Sequence, residues 1–278
     1  MNDIQKAEFK ILGYFHKFCE NHNLKYSLYG GTLLGSIRHK GFIPWDDDTD
    51  VMMKRDEFER FEKLFLKSDY EREGYSYQTR KLIPSYALAF SKIRTREINI
   101  RERVSKTQKG NYGPWLDIFP LDNVPDDEDL RRAQFKKVAF YNKLIRLFLL
   151  VYLKEEDKGL RKILKGLVQW SNENLGRLYF FMPYIFRKRN HYMTMYNQVS
   201  TSHCADISYI FYKDYEDFSK QIFENQMMDD LILGEFESGD FFIPREYDEI
   251  LTIMYGDYME LPPVEERKQH NLEYIYQD

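Results

Sequence analysis

Four aspartates in a five-residue run, Asp46-Asp47-Asp48-Thr49-Asp50, stand directly against the apolar Val51-Met52-Met53. This junction limits the possible folds more than any other stretch of the chain. An acidic loop in solvent has no reason to run into three apolar residues, whereas a buried strand that carries acids at its entrance does. The spacing predicts a strand over roughly residues 48–53. Alternation along it puts the Asp48 and Asp50 side chains on one face, close together. Carboxylates held that close repel each other, and a divalent cation between them removes the cost. Oxygen ligands of this kind suit Mg²⁺ or Mn²⁺ rather than zinc. A solvated acidic loop and a calcium site are the competing readings of the same run.

The surrounding pattern supports a strand. Ile4, Ile11, Leu12, Phe15, Phe18 and Cys19 recur at helical spacing, with Asp3 placed to cap the helix. Residues 24–29 alternate as a strand, Gly30-Gly31 ends it, and a short helix opens at Thr32. After the acids, a helix is expected to begin at Asp56, with Glu59 completing a capping box. Its apolar face is Phe58, Phe61, Leu64 and Phe65. Further strands are expected over 86–93 and 115–119. A late helix is expected to open with Pro244 as its first residue, with Tyr247, Ile250, Leu251 and Met254 on one face, and to stop at Gly256. Strands interleaved with helices predict a mixed sheet, α/β or α+β, for the first 125 residues.

Three further features bear on chemistry. Gly30-Gly31 allows a phosphate to approach the backbone closely, and the N–H groups opening the helix at Thr32 can bind its oxygens. A Gly-Gly pair is also commonly nothing more than a tight turn. Asp117 is a lone acid inside Trp115-Leu116-Asp117-Ile118-Phe119, expensive there unless it is paired or metal-bound. Its other reading is a turn acid beside the Gly113-Pro114 bend. Lys92 and Arg94 share a strand face and, with Arg38, His39 and Lys40, are candidates to neutralise phosphate charge, a surface role being the alternative for each. The spacing of His16, Cys19 and His22 suggests a metal site, but on a helix these positions fan out rather than converge. Neither G-x-S-x-G nor Walker A is present.

Charge divides the chain. Residues 131–190, read as helices, hold 15 Lys/Arg against four acids, a net of +11, while the other 218 residues carry −15. The total of −4 argues against a nucleic-acid partner. Two distant cysteines, Cys19 and Cys204, suit a reducing compartment. The opening residues lack the apolar run of a signal peptide, and the longest greasy stretch, residues 147–153, is far too short to span a bilayer. A cytoplasmic protein is the expectation.

YGGTLLGSIRHKGFIPWDDDTDV, WLDIFPLD and FIPREYDEILTIMYGDYMELPPVEERKQH closely resemble the LicD family of bacterial phosphocholine transferases, relatives of the fukutin proteins. The resemblance covers about residues 24–60, 85–122 and 240–270 and is weak across the basic middle. It implies a nucleotidyltransferase-like fold with a helical elaboration. The divisions would be a catalytic core at 1–125, a basic helical insertion or acceptor region at 126–235, and a C-terminal family motif at 236–278 packed on the core. Asp48 and Asp50 match the family's metal-binding acids, Asp46 the preceding acid, Asp117 the third, and Gly30-Gly31 the phosphate-binding turn. Thr49 and Ser36 stand where Ile and Ala are more usual.

The resemblance further implies metal-dependent transfer of phosphocholine, or a similar phospho-alcohol, from a CDP-linked donor. The acceptor would be a sugar hydroxyl of a teichoic acid, lipopolysaccharide or capsule precursor. Asp48, Asp50 and Asp117 would be catalytic, all three with Asp46 on the metal. Gly30, Gly31, Thr32, Arg38 and Lys92 would hold the donor phosphates. Nucleotidyl transfer, an Asp-x-Asp glycosyltransferase and an inactive scaffold are the rival readings. A lipid-linked acceptor at the inner membrane face would give the +11 segment a peripheral, salt-sensitive docking role, aided by Phe148, Leu149, Val151, Tyr152 and Leu153. Internal neutralisation of the −15 remainder is the alternative.

Overall fold

Val51-Met52-Met53 forms the fully buried centre of strand β2 (Thr49–Lys54). The strand thus opens one residue after Asp48, which lies on the loop leading into it. In the computed structural model, residues 1–102, 112–149, 159–160, 163, 166–167, 181–267 and 272–274 are described. On one side β2 pairs antiparallel with β1 (Ser27–Leu28), and on the other parallel with β6 (Trp115–Val124). Strand β4 (Ser91–Thr95) pairs antiparallel with the first part of β6, and β3 (Tyr75–Gln78) pairs with β4. The order β1-β2-β6-β4-β3 is extended by β7 (His203–Ala205), which pairs with residues 122–124 of β6, and by β8 (Ile222–Glu224). Pro120 falls between the β4 and β7 pairings, where that side of β6 is locally an edge and a missing N–H is tolerated.

The fold is a mixed α/β sheet flanked by helices, as expected. Helix α1 (Asp3–Asn21) buries the predicted face, including Ile11, Leu12, Phe15 and Cys19. Its cap is Asn2 in a reciprocal capping box with Gln5, so Asp3 belongs to the first turn instead. Helix α2 spans Gly30–Arg38. Helix α3 (Arg55–Phe65) opens from Lys54 without a side-chain cap, which corrects the capping box expected at Asp56 and Glu59. Asp56 and Glu57 instead occupy the first turn, where the helix dipole favours negative charge. Arg55 joins this helix to β6 through two 2.7 Å bonds to the fully buried Asp122.

Within 131–190 the described residues are helical apart from Phe181, and residues 150–158, 161–162, 164–165 and 168–180 lie outside the described residues. Helices α4 (Glu128–Leu149) and α5 (Met182–Thr194) pack together, and Phe135, Val138 and Met193 form a second core with Val124, Ala205 and Phe218. Strands β7 and β8 then return to the central sheet. Of the apolar stretch proposed for membrane contact, Val151, Tyr152 and Leu153, and the side chains of Phe148 and Leu149, lie outside the described residues. No helix of the described residues is long and apolar enough to cross a membrane. Strand β5 (Ile100–Glu102) pairs with the late strand β11 (Leu272–Tyr274).

Pro244 closes strand β10 (Gly239–Pro244), paired in a hairpin with β9 (Leu231–Phe236), and does not open a helix. The late helix begins at Tyr247 (α7, Tyr247–Tyr255, the short α6 being Tyr215–Ser219) and ends as expected at Gly256, whose φ is +71°. Cys19 and Cys204 are both buried free thiols.

Candidate active site

The sheet order carries the site. Tyr29 N–H donates to the Asp50 carbonyl at 3.0 Å, Asp50 faces Asp117 across the parallel β2–β6 ladder, Lys92 faces Asp117 from the other side, and Gln78 faces Lys92. Residues in register on neighbouring strands present side chains on the same face. All five line one cavity of about 1140 Å³. Asp48 enters it from the loop, and carboxylate oxygens of Asp48, Asp50 and Asp117 all lie within 4.8 Å of one another. No other trio of carboxylate, imidazole or thiol groups converges this way among the described residues. Asp117 stands in the strand and not at the bend. The donor set is hard oxygen throughout, the chemistry that suits an ion of the Mg²⁺ or Mn²⁺ kind.

The two glycines make room for the acids. Both belong to the first turn of α2, so the helix starts at Gly30, two residues earlier than expected. Gly30 has φ +56°, and a Cβ there would stand 3.0 Å from Asp50 Oδ2. A Cβ on Gly31 would stand 2.3 Å from Asp46 Oδ2. Asp46 therefore packs over Gly31 and is not in the converging trio, although it lines the same cavity. The Gln5 side-chain amide donates to the Asp46 carbonyl at 2.8 Å and ties the acidic loop to α1. Thr32 is buried, and its hydroxyl accepts the Asp50 N–H at 2.8 Å, so it fixes β2 against α2 and does not line the cavity.

The expected cations separate into two groups. Lys92 is buried with its ammonium 2.9 and 3.0 Å from the two Asp117 oxygens and 4.7 Å from the Trp115 ring centre. Arg38 also lines the cavity and donates to the Tyr258 and Glu260 carbonyls, at 2.7 and 3.2 Å. Burial lowers its pKa. Arg94 is fully buried behind the row, donating to Gln78 and to the Gly113 carbonyl. His39 packs edge-on against Trp45, and Lys40 is exposed. His16 meets the Tyr26 hydroxyl, His22 the Phe18 carbonyl, and Cys19 the core, so no metal site forms there.

Other groups at the site were not singled out by sequence. Glu8 is fully buried, and burial first, then the field of Asp48, Asp47, Asp46 and Asp50, raises its pKa well above the carboxylate range. Burial and the neighbouring acidic loop both favour its protonated form. Tyr209 and Tyr255 line the cavity, and burial followed by the Asp50 charge raises both phenols, Tyr209 to about 12. Asp206 is buried in the same wall, and burial pushes its carboxyl up to about 6. Glu8 had a readable signal, because with Ile4, Ile11 and Phe15 it occupies the apolar face of α1. Tyr209 had none, since it lies in no helix or strand, whereas Tyr255 ends the late helix α7.

A family model described as "LicD/FKTN/FKRP, nucleotidyltransferase domain" matches residues 23–115, which hold Gly30, Gly31, Asp48, Asp50 and Lys92. The chain is also similar to the lipopolysaccharide cholinephosphotransferase LicD of Haemophilus influenzae, with 32% identity over 268 residues, 96% of this chain and 94% of that protein. The chain belongs to the LicD family. Shorter similarities reach an uncharacterised protein of Rickettsia prowazekii (42% identity over 64 residues, 20% of this chain and 24% of that protein) and one of Rickettsia typhi (33% over 67 residues, 24% and 21%). The family resemblance expected from the sequence motifs therefore extends through the basic middle as well.

Proposed function

We propose that this LicD-family enzyme, a transferase of phosphorus-containing groups, moves phosphocholine from CDP-choline to a sugar hydroxyl of lipopolysaccharide or a similar cell-surface glycan. Asp48, Asp50 and Asp117 would hold Mg²⁺ or Mn²⁺. The observation that carries this reading is the three-carboxylate cluster set beside a glycine-opened helix in one cavity. The near full-length similarity to a lipopolysaccharide cholinephosphotransferase supports the transferred group and the acceptor.

A divalent ion held by Asp48, Asp50 and Asp117 would supply charge neutralisation for the donor diphosphate and for the departing CMP. The chain's own residues position the reactants. The N–H groups at the start of α2, where Gly30 and Gly31 keep the backbone bare of side chains, would bind phosphate oxygens. Lys92 holds Asp117 in place through its paired oxygens and adds positive charge at the floor of the cavity. Arg38 adds a second positive charge to the cavity lining. The acceptor oxygen forms a bond to the choline-bearing phosphorus, the bond to the bridging oxygen breaks, and CMP leaves with the electron pair. The hydroxyl proton passes to a carboxylate of the cluster. Such transfer relies on positioning and charge and needs no covalent nucleophile.

The test is product identification with purified protein, lipopolysaccharide lacking the modification, and either CDP-choline or CTP. CMP release from CDP-choline, dependent on acceptor and on Mg²⁺, is expected. Pyrophosphate release from CTP, with no reaction of CDP-choline, would establish nucleotidyl transfer in its place.

A further inference from the structure

One wall of the cavity differs in chemistry from the metal end. Tyr209, Phe211 and Tyr212 stand there with ring centres 5.7 Å (Tyr209–Phe211) and 5.1 Å (Tyr209–Tyr212) apart and planes at 66° and 72°. Rings set nearly at right angles form a corner, not a slot. A flat nucleobase calls for parallel faces, whereas a rounded cation is best met by several ring faces turned inward from different directions. Two carboxylates share the wall. Asp206 is buried beneath the rings, accepting from Ser208 N–H at 2.9 Å and Ser208 Oγ at 2.6 Å, and its carbonyl receives the Tyr212 hydroxyl at 2.7 Å. Asp217 is half-buried at the edge. Arg146 lines the same side, but its guanidinium is turned onto the Ile210 carbonyl at 2.7 Å. Tyr209, Phe211 and Tyr212 line the same cavity as Asp48, Asp50 and Asp117.

We propose that this corner is the subsite for the quaternary ammonium of the transferred group, with Tyr209 and Phe211 as its ring walls and Asp206 and Asp217 supplying the negative field. The inference rests on the reading above that a phospho-alcohol is handled at the Asp48–Asp50–Asp117 end, and it names the feature of that alcohol which is recognised. A trimethylammonium cannot donate hydrogen bonds. It is therefore selected by ring faces and diffuse charge, while a primary ammonium loses more on leaving water.

Ligand-detected NMR titration of the whole chain tests this with phosphocholine, phosphoethanolamine and CMP, in Mg²⁺, on wild type, Tyr209→Leu and Phe211→Leu. Phosphocholine should bind about tenfold tighter than phosphoethanolamine, and each leucine variant should weaken phosphocholine about tenfold. CMP affinity in the same samples should be kept, which also shows that the variants fold. Equal binding of the two phospho-alcohols, unchanged phosphocholine binding in both variants, or no phosphocholine binding to wild type overturns the subsite. CMP binding that is intact and Mg²⁺-dependent alongside any of these leaves the donor reading standing. Selective phosphocholine binding without any CMP binding removes the CDP donor and keeps the subsite.

Discussion

Replacing Lys92 by Met removes the ammonium that sits 2.9 and 3.0 Å from the two Asp117 oxygens. Both side chains are under 10% exposed, at 4% and 9%, so solvent cannot take over the lost contacts. Breaking such a buried pair from one side costs about 3–5 kcal/mol, because the remaining charge stays out of water. For a chain of this size that is a fall in Tm of roughly 6–20 °C. The cost should depend on metal. With the ammonium gone, a divalent ion has no competitor on that side of Asp117, so Mg²⁺ should stabilise the variant more than the wild type. Thermal melts in EDTA and in saturating Mg²⁺ measure both effects. Adding Asp117→Asn to Lys92→Met should recover part of the loss, since the stranded charge is then absent. A loss below about 1 kcal/mol, equal Mg²⁺ stabilisation of variant and wild type, or a double variant less stable than the single one would refute the reasoning.

Gly31→Ala should leave Tm within a few degrees, because alanine favours the helix by about 1 kcal/mol while the displaced Asp46 can rotate. It should nevertheless weaken Mg²⁺-dependent CMP binding, as read by titration. Asp206 titrates near 6 in the fold against an ordinary value of 3.8. The folded state therefore binds more protons between those values, and the stability linked to Asp206 falls as pH rises from about 4 to 6. Asp206→Asn should gain on the wild type by about 3 kcal/mol across that window in urea melts, and a flat difference counts against the buried carboxyl. The basic middle should sediment the protein with anionic vesicles at low salt and release it at high salt. Equal binding to neutral vesicles would return those charges to internal pairing.

The three-carboxylate end of the cavity was legible in the sequence because its signal is local. Asp48 and Asp50 precede an apolar run, and Asp117 interrupts one. The partner of Asp117 was not, because β2, β6 and β4 are neighbours out of chain order, and only that order sets Lys92 against Asp117. Arg94 looked equivalent to Lys92 by alternation, yet tertiary packing turned it onto Gln78 and Gly113. Helix starts were misplaced where the cap was not the obvious acid: Asn2 took the role expected of Asp3, and Lys54 stands uncapped before Asp56. Pro244 reads equally well as the end of a strand and the start of a helix, and the β9–β10 pairing decided it. The aromatic corner is contributed by residues 209–212, which lie in no helix or strand and leave no periodic trace.

Asp48, Asp50 and Asp117 are expected together to hold a divalent ion. Manganese titration followed by electron paramagnetic resonance reads this without any substrate. The wild type should take up Mn²⁺ that Mg²⁺ displaces, and Asp50→Asn and Asp117→Asn should each lose that binding while keeping the wild-type circular dichroism spectrum. Undiminished Mn²⁺ binding in both variants, or none in the wild type, would contradict the account.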